Sequence, residues 1–124
     1  MSARTPIARV RGLGSAKGGT HHWWMQRVTA LALAPLTVWF VASLIRLTGA
    51  DHAAAAEWLA SPLTTVLMLL LIVATFHHLQ LGLQVVIEDY IHGEAAKIGC
   101  IIGVKFASFA LAVAAGVAVL KVAF

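Results

Sequence analysis

Charged residues are scarce in this chain. Of its 124 residues only 11% are charged, whereas 60% are hydrophobic, and the mean hydropathy is +0.89. Soluble domains carry about 25% charged residues, so the composition argues against a water-soluble fold. The basic residues near the N-terminus form a short segment without interleaved stacking aromatics, which argues against a nucleic-acid-binding protein.

Cysteine is almost absent. The single cysteine, Cys100, excludes an internal disulfide, a cysteine-ligated zinc site and the paired-cysteine attachment of a c-type haem. Any haem must therefore be held without a covalent link. The chain also has no dinucleotide or flavin fingerprint. Because it is so small, we expect it to work with partner proteins rather than as a redox enzyme alone.

Three apolar stretches are long enough to cross a hydrocarbon core of about 30 Å, which takes about 20 helical residues. In lipid the backbone must satisfy its own hydrogen bonds, and isolated apolar segments do so as helices. The predicted fold is therefore an all-α integral membrane protein with three transmembrane helices. Its predicted parts are a basic interfacial segment, 1–27, and a membrane domain, 28–124, with spans at 28–48, 63–87 and 98–124.

The basic residues predict the orientation in the membrane. Five of the nine Lys and Arg residues precede the first span, and such residues are retained on the cytoplasmic side. The N-terminus and the loop 88–97 are therefore predicted to be inside, and the loop 49–62 and the C-terminus outside. The first span could instead belong to a cleaved signal peptide, but its leader and its apolar run are both longer than is usual.

Two adjacent histidines, His77 and His78, lie inside the second span. Ionisable residues at this depth are costly and often mark a function, although a hydrogen bond to a neighbouring helix is an equally good explanation. Gly82 follows His78 by four residues and lies on the same helix face. It leaves space that suits a flat macrocycle, or it allows close helix packing; the sequence leaves both open.

An acid and a phenol, Asp89 and Tyr90, meet where the second span ends. Tyrosine is common at this boundary as an anchor, but a hydroxyl beside a carboxylate also supplies the donor and the proton route that a quinone needs. Arg27 begins the first span, after Trp23 and Trp24. It either reaches lipid phosphate or pairs with an anionic group such as a haem propionate.

Two segments resemble a known family. Residues 78–90, HLQLGLQVVIEDY, resemble the H-x-x-x-G…D-Y signature of the succinate dehydrogenase hydrophobic membrane anchor subunit. Residues 26–33, QRVTALAL, resemble the arginine-led start of that family's first helix. Length, three spans and the predicted cytoplasmic N-terminus also fit, so the likeness covers nearly the whole chain.

The resemblance implies a four-subunit complex in a bacterial inner membrane. A flavoprotein and an iron–sulfur subunit would oxidise succinate and pass electrons to ubiquinone, and this chain would pack with a larger cytochrome b-type anchor of three helices. It further implies that His78 gives one axial ligand to haem b and the larger anchor the other. Tyr90 would hydrogen-bond the quinone with Asp89 near it, and Arg27 would lie near the haem propionates and the quinone pocket.

Helix geometry favours His78 over His77 as the ligand. His78 and Asp89 lie within about 20° on one helix face and about 16 Å apart along the axis, whereas His77 is rotated by about 100° from His78. The residue one turn after His77 is the bulky Leu81. The rival functions are a fumarate reductase anchor, a haem-free anchor, and a cofactor-free accessory subunit whose polar residues only bond between helices.

Overall fold

The computed structural model describes Pro6 and residues 17–124 of the chain, which form four helices from residue 17 onward. The helices are α1 (Lys17–Arg46), α2 (His52–Ala60), α3 (Pro62–Tyr90) and α4 (Glu94–Ala123). Three stretches are long and apolar enough to cross a membrane: Thr20–Arg46, Pro62–Tyr90 and Glu94–Ala123. No strand is present in the described part of the chain. The prediction of an all-α protein with three transmembrane helices is confirmed.

The connection between α1 and α3 differs from the expected simple link. After α1, Gly49 has a φ of +81°, a left-handed conformation that glycine adopts without steric cost. Asp51 then caps α2, because its side chain accepts a hydrogen bond from the backbone N–H of Ala54 at 2.9 Å. The run of alanines that follows favours a helix. A short helix therefore forms where the apolar pattern predicts only a loop.

The first helix begins earlier than the apolar run. α1 starts at Lys17, inside the basic segment, and its helical backbone continues through Pro35. Proline lacks a backbone N–H, so the carbonyl of Leu31 loses its helical partner there. Transmembrane helices tolerate this defect.

The central helix of the bundle is α3. It packs against both α1 and α4, and α2 packs against α3 and α4; within the described residues, no Cα atom of α1 lies within 8 Å of a Cα atom of α4. The hydroxyl of Thr65 on α3 donates to the carbonyl of Leu59 on α2 at 2.6 Å. The rings of Trp39 and Trp58 stack at 5.8 Å between α1 and α2.

The bundle has a thin core. Its buried apolar side chains are mostly on α3, and among the described residues no large side chain is fully enclosed. Large apolar residues stay on the surface, such as Phe106 and Phe109 on α4, which are 72% and 71% exposed. Such a surface is stable against lipid or against other apolar helices, and not against water. Because the core is thin, polar groups on α3 lie close to the exposed apolar surface that lipid or other apolar helices cover.

Candidate functional site

A hydrogen bond joins His78 on α3 to Thr29 on α1. The two atoms, His78 Nδ1 and Thr29 Oγ1, are 2.9 Å apart, and Thr29 is only 6% exposed. The Thr29 hydroxyl also lies 2.7 Å from the carbonyl oxygen of Met25 and 3.1 Å from that of Gln26. These contacts hold the His78 imidazole against α1.

The direction of this hydrogen bond depends on the tautomer of the His78 imidazole. A hydroxyl has one proton and two lone pairs, and a carbonyl oxygen can only accept. When Thr29 donates its proton to the carbonyl of Met25, its oxygen accepts from an Nδ1–H of His78. The neutral imidazole then carries its proton on Nδ1 and keeps the lone pair on Nε2. That is the tautomer in which Nε2 can bind a metal.

The space next to His78 is open at Gly82. A Cβ built on Gly82 would meet no atom within 4 Å. Within this chain the glycine therefore does not serve a close helix contact, which was one of the two explanations that the sequence left open. The open position fits a flat group beside the imidazole, and it equally fits a closely packed helix of another subunit.

His77 has a different environment from His78. Its Nε2 atom is buried and has no hydrogen-bond partner within the described residues. The side chain lies where two apolar grooves meet, one of about 360 Å³ between α3 and α4 and one of about 240 Å³ between α1 and α3. Val73, one turn earlier, lines both grooves as well. An imidazole nitrogen enclosed in this way is less accessible to an external group.

The structure keeps Asp89 and Tyr90 together at the end of α3. Both side chains are exposed, Tyr90 to 76%. The helix ends there, with the backbone N–H of Ile91 bonded to the carbonyl of Ile87 at 3.0 Å. A phenol and a carboxylate thus lie exposed at one helix end.

Arg27 lies on α1, the helix that also carries Thr29. Its guanidinium carbon is 5.3 Å from the centre of the Trp23 ring, and Trp23 packs edge to face with Trp24 at 5.0 Å. This cation–π contact holds the arginine at the start of the apolar part of α1. The side chain remains exposed, so its N–H groups stay available to an anionic group.

The histidines of the described residues do not form a cluster of metal ligands. In the part of the chain that the structure describes, no three His, Cys, Asp or Glu side chains lie close enough to share a metal ion. A haem iron, in contrast, can take a single histidine imidazole from a chain as an axial ligand. His78 with its fixed Nδ1 and the open space at Gly82 fit this arrangement.

Comparison with known proteins identifies the family. The family described as Succinate dehydrogenase/Fumarate reductase transmembrane subunit matches residues 1–113. The chain belongs to this family. It is 35% identical over 116 residues to the succinate dehydrogenase hydrophobic membrane anchor subunit of Rickettsia bellii (strain RML369-C), covering 94% of this chain and 93% of that protein. The resemblance to the anchor-subunit family is therefore confirmed.

Other family members carry the same description. The anchor subunit of Rickettsia conorii (strain ATCC VR-613 / Malish 7) is 38% identical over 89 residues, which is 71% of each chain. That of Paracoccus denitrificans is 31% identical over 102 residues, 82% of this chain and 79% of the other. No solved structure gave a significant match.

Sequence reasoning missed Thr29 as a member of the site. It lies two residues after Arg27, within the QRVTALAL segment, and it is a polar residue in an apolar span. That polarity was the available signal. The sequence alone does not say which residue of another helix faces it, because the rotation of each helix is set by tertiary packing.

Proposed function

We propose that this chain is the smaller membrane-anchor subunit of a bacterial succinate:ubiquinone oxidoreductase of the inner membrane. It has no activity alone. A flavoprotein subunit and an iron–sulfur subunit oxidise succinate, a reaction of the tricarboxylic acid cycle, and ubiquinone takes up the electrons. We propose succinate oxidation rather than fumarate reduction because the curated relatives are named succinate dehydrogenase anchors.

His78 is the proposed axial ligand of a haem b shared with the larger anchor subunit. The observation that carries this proposal is the 2.9 Å contact between Thr29 Oγ1 and His78 Nδ1, which leaves Nε2 as the free coordinating atom. Metal-bound histidines usually donate their other N–H to a protein oxygen in this way. When bound, haem b supplies a centre that accepts and releases single electrons. His78 would hold the group, and Gly82 leaves room beside it.

Tyr90 and Asp89 are the proposed contribution of this chain to the ubiquinone site. The Tyr90 hydroxyl donates a hydrogen bond to a quinone carbonyl and so fixes the ring at the membrane boundary. Reduction adds protons at the quinone oxygens, and the Asp89 carboxylate, exposed beside Tyr90, can accept a proton from water and pass it on. The exposure of both residues in the isolated chain supports a role toward an external molecule.

Arg27 is proposed to lie near the haem propionates and the quinone pocket. Its planar guanidinium can bind a carboxylate through two parallel hydrogen bonds. The contact with Trp23 restricts the side chain before it binds, which lowers the entropy lost when the ion pair forms.

The test of the proposal uses the assembled four-subunit complex. His78→Ala removes the coordinating nitrogen, so the b-type spectrum that appears on adding succinate should shift or disappear. The matched control is His77→Ala on the same helix, which should leave the spectrum largely intact. Loss of the spectrum in the His77 variant with retention in the His78 variant would refute the ligand assignment.

A further inference from the structure

We propose that Thr29 is a positioning residue for the haem ligand, acting through the imidazole of His78. This inference rests on the proposed function, in which His78 binds the iron. Thr29 fixes the tautomer and the ring orientation of His78 by accepting a hydrogen bond from Nδ1–H. In this way a residue of α1 influences the electronic state of the haem that binds to His78 on α3.

The first argument is that the Thr29 hydroxyl makes hydrogen-bond contacts with two helices. It has the carbonyl of Met25 at 2.7 Å within its own helix and the Nδ1 of His78 at 2.9 Å on the neighbouring helix. A threonine that served only its own helix would need the first contact alone. The second contact crosses the interface between α1 and α3 and involves an imidazole.

The second argument is burial. Thr29 is 6% exposed, so its hydroxyl is enclosed where α1 meets α3 and water has little access to compete for Nδ1. With no acceptor there, the imidazole could rotate or carry its proton on Nε2, and in that tautomer Nε2 has no lone pair for a metal.

The third argument concerns the strength of the ligand. A hydrogen bond from Nδ1–H to an oxygen increases the basicity of the imidazole and makes it a stronger donor to the metal. A stronger donor stabilises the ferric state relative to the ferrous state. The hydroxyl of Thr29 therefore keeps the reduction potential of the bound haem lower than it would be without this hydrogen bond.

The experiment compares substitutions of Thr29 in the full complex. Thr29→Val keeps the shape of the side chain and removes the hydroxyl, Thr29→Cys leaves a weaker acceptor, and Thr29→Ser keeps the hydroxyl. Thr37→Val is the matched control, because Thr37 is an exposed threonine on the same helix. The readouts are the haem midpoint potential, the electron paramagnetic resonance spectrum of the ferric haem, and haem content.

The expected result is a graded series. Thr29→Val should raise the midpoint potential, change the ferric spectrum and weaken haem retention by about tenfold or more. Thr29→Cys should give a smaller change, and Thr29→Ser and Thr37→Val should resemble the unmodified complex. If the valine variant does not assemble, the difference between the cysteine and serine variants decides the question.

Two outcomes overturn the inference and are distinguishable. If Thr29→Val keeps the original potential and ferric spectrum while His78→Ala loses the haem, Thr29 is only structural and the proposed function stands. If His78→Ala retains the original spectrum, the ligand assignment fails and the role of Thr29 fails with it.

Discussion

Gly82 follows His78 by one helical turn on α3, and the position that its missing Cβ would occupy has no neighbouring atom within 4 Å. The imidazole of His78 contacts the hydroxyl of Thr29 through Nδ1 at 2.9 Å. One ring nitrogen of this histidine is therefore bonded within the chain, and the helix surface one turn further on is open.

The open space at Gly82 predicts the effect of filling it. A Cβ at position 82 meets no atom of this chain within 4 Å, so we expect the Gly82→Leu subunit still to insert and assemble, while its side chain should overlap a bound haem. Overpacking costs about 1–3 kcal/mol, which corresponds to a haem affinity lower by about 5- to 150-fold. Haem content per assembled complex is the measurement. Gly103→Leu, at another glycine with open space, is the control, and equal haem loss in both variants would contradict the prediction.

His77 Nε2 has no hydrogen-bond partner in the part of the chain that the structure describes, and this predicts a substitution of His77 that does not destabilise the protein. A buried polar group without a partner costs about 1–3 kcal/mol, and His77→Leu removes that group while filling part of the apolar grooves. The thermal midpoint of the assembled complex should stay the same or rise, and the b-type spectrum should persist. A clear fall in the midpoint would mean that a partner subunit bonds this nitrogen in the complex.

The exposed phenol of Tyr90 predicts a selective loss of quinone reduction. Tyr90→Phe removes one hydrogen bond, which contributes about 0.5–1.5 kcal/mol and therefore weakens quinone binding by up to about tenfold. Succinate oxidation with an artificial dye should survive, because the dye takes electrons without this site. Both activities are measured on the same preparation, and an equal fall in both would assign Tyr90 to assembly instead.

The distribution of basic residues predicts the topology of the chain. Reporter fusions at residues 10 and 93 should be cytoplasmic, and a fusion at residue 55 should be outside. Residue 55 is the decisive position, since it lies in α2 between the first two spans. A cytoplasmic reporter at this position would reverse the orientation and move Asp89 and Tyr90 to the outer boundary.

The helices could be predicted from the sequence to different degrees. The three spans follow from hydropathy alone, because a long apolar run in lipid has few alternatives to a helix. The short helix α2 was missed, since it depends on the cap that Asp51 provides and on a run of alanines rather than on length. The early start of α1 at Lys17 was also missed, because glycines and polar residues there interrupt the apolar pattern.

The candidate site, too, could be predicted from the sequence only in part. Four residues of the site lie on the single helix α3, so their relative positions follow from helical geometry and a sequence motif. They are His78, Gly82, Asp89 and Tyr90. Thr29 and His78 are separated by 49 positions, and their contact depends on how α1 and α3 rotate against each other. Whether His77 Nε2 finds a hydrogen-bond partner likewise depends on how the three long helices pack and on the grooves between them. The sequence gives no direct information on either.

The thin core of the bundle has a consequence for the stability of the newly made chain in the cell. A chain with so little enclosed core has few cooperative contacts to protect it before its partners arrive, and unprotected segments are open to proteolysis. We therefore expect newly made chains to be degraded when the other subunits of the complex are missing. The cellular amount of this subunit would then follow the synthesis of those subunits rather than its own.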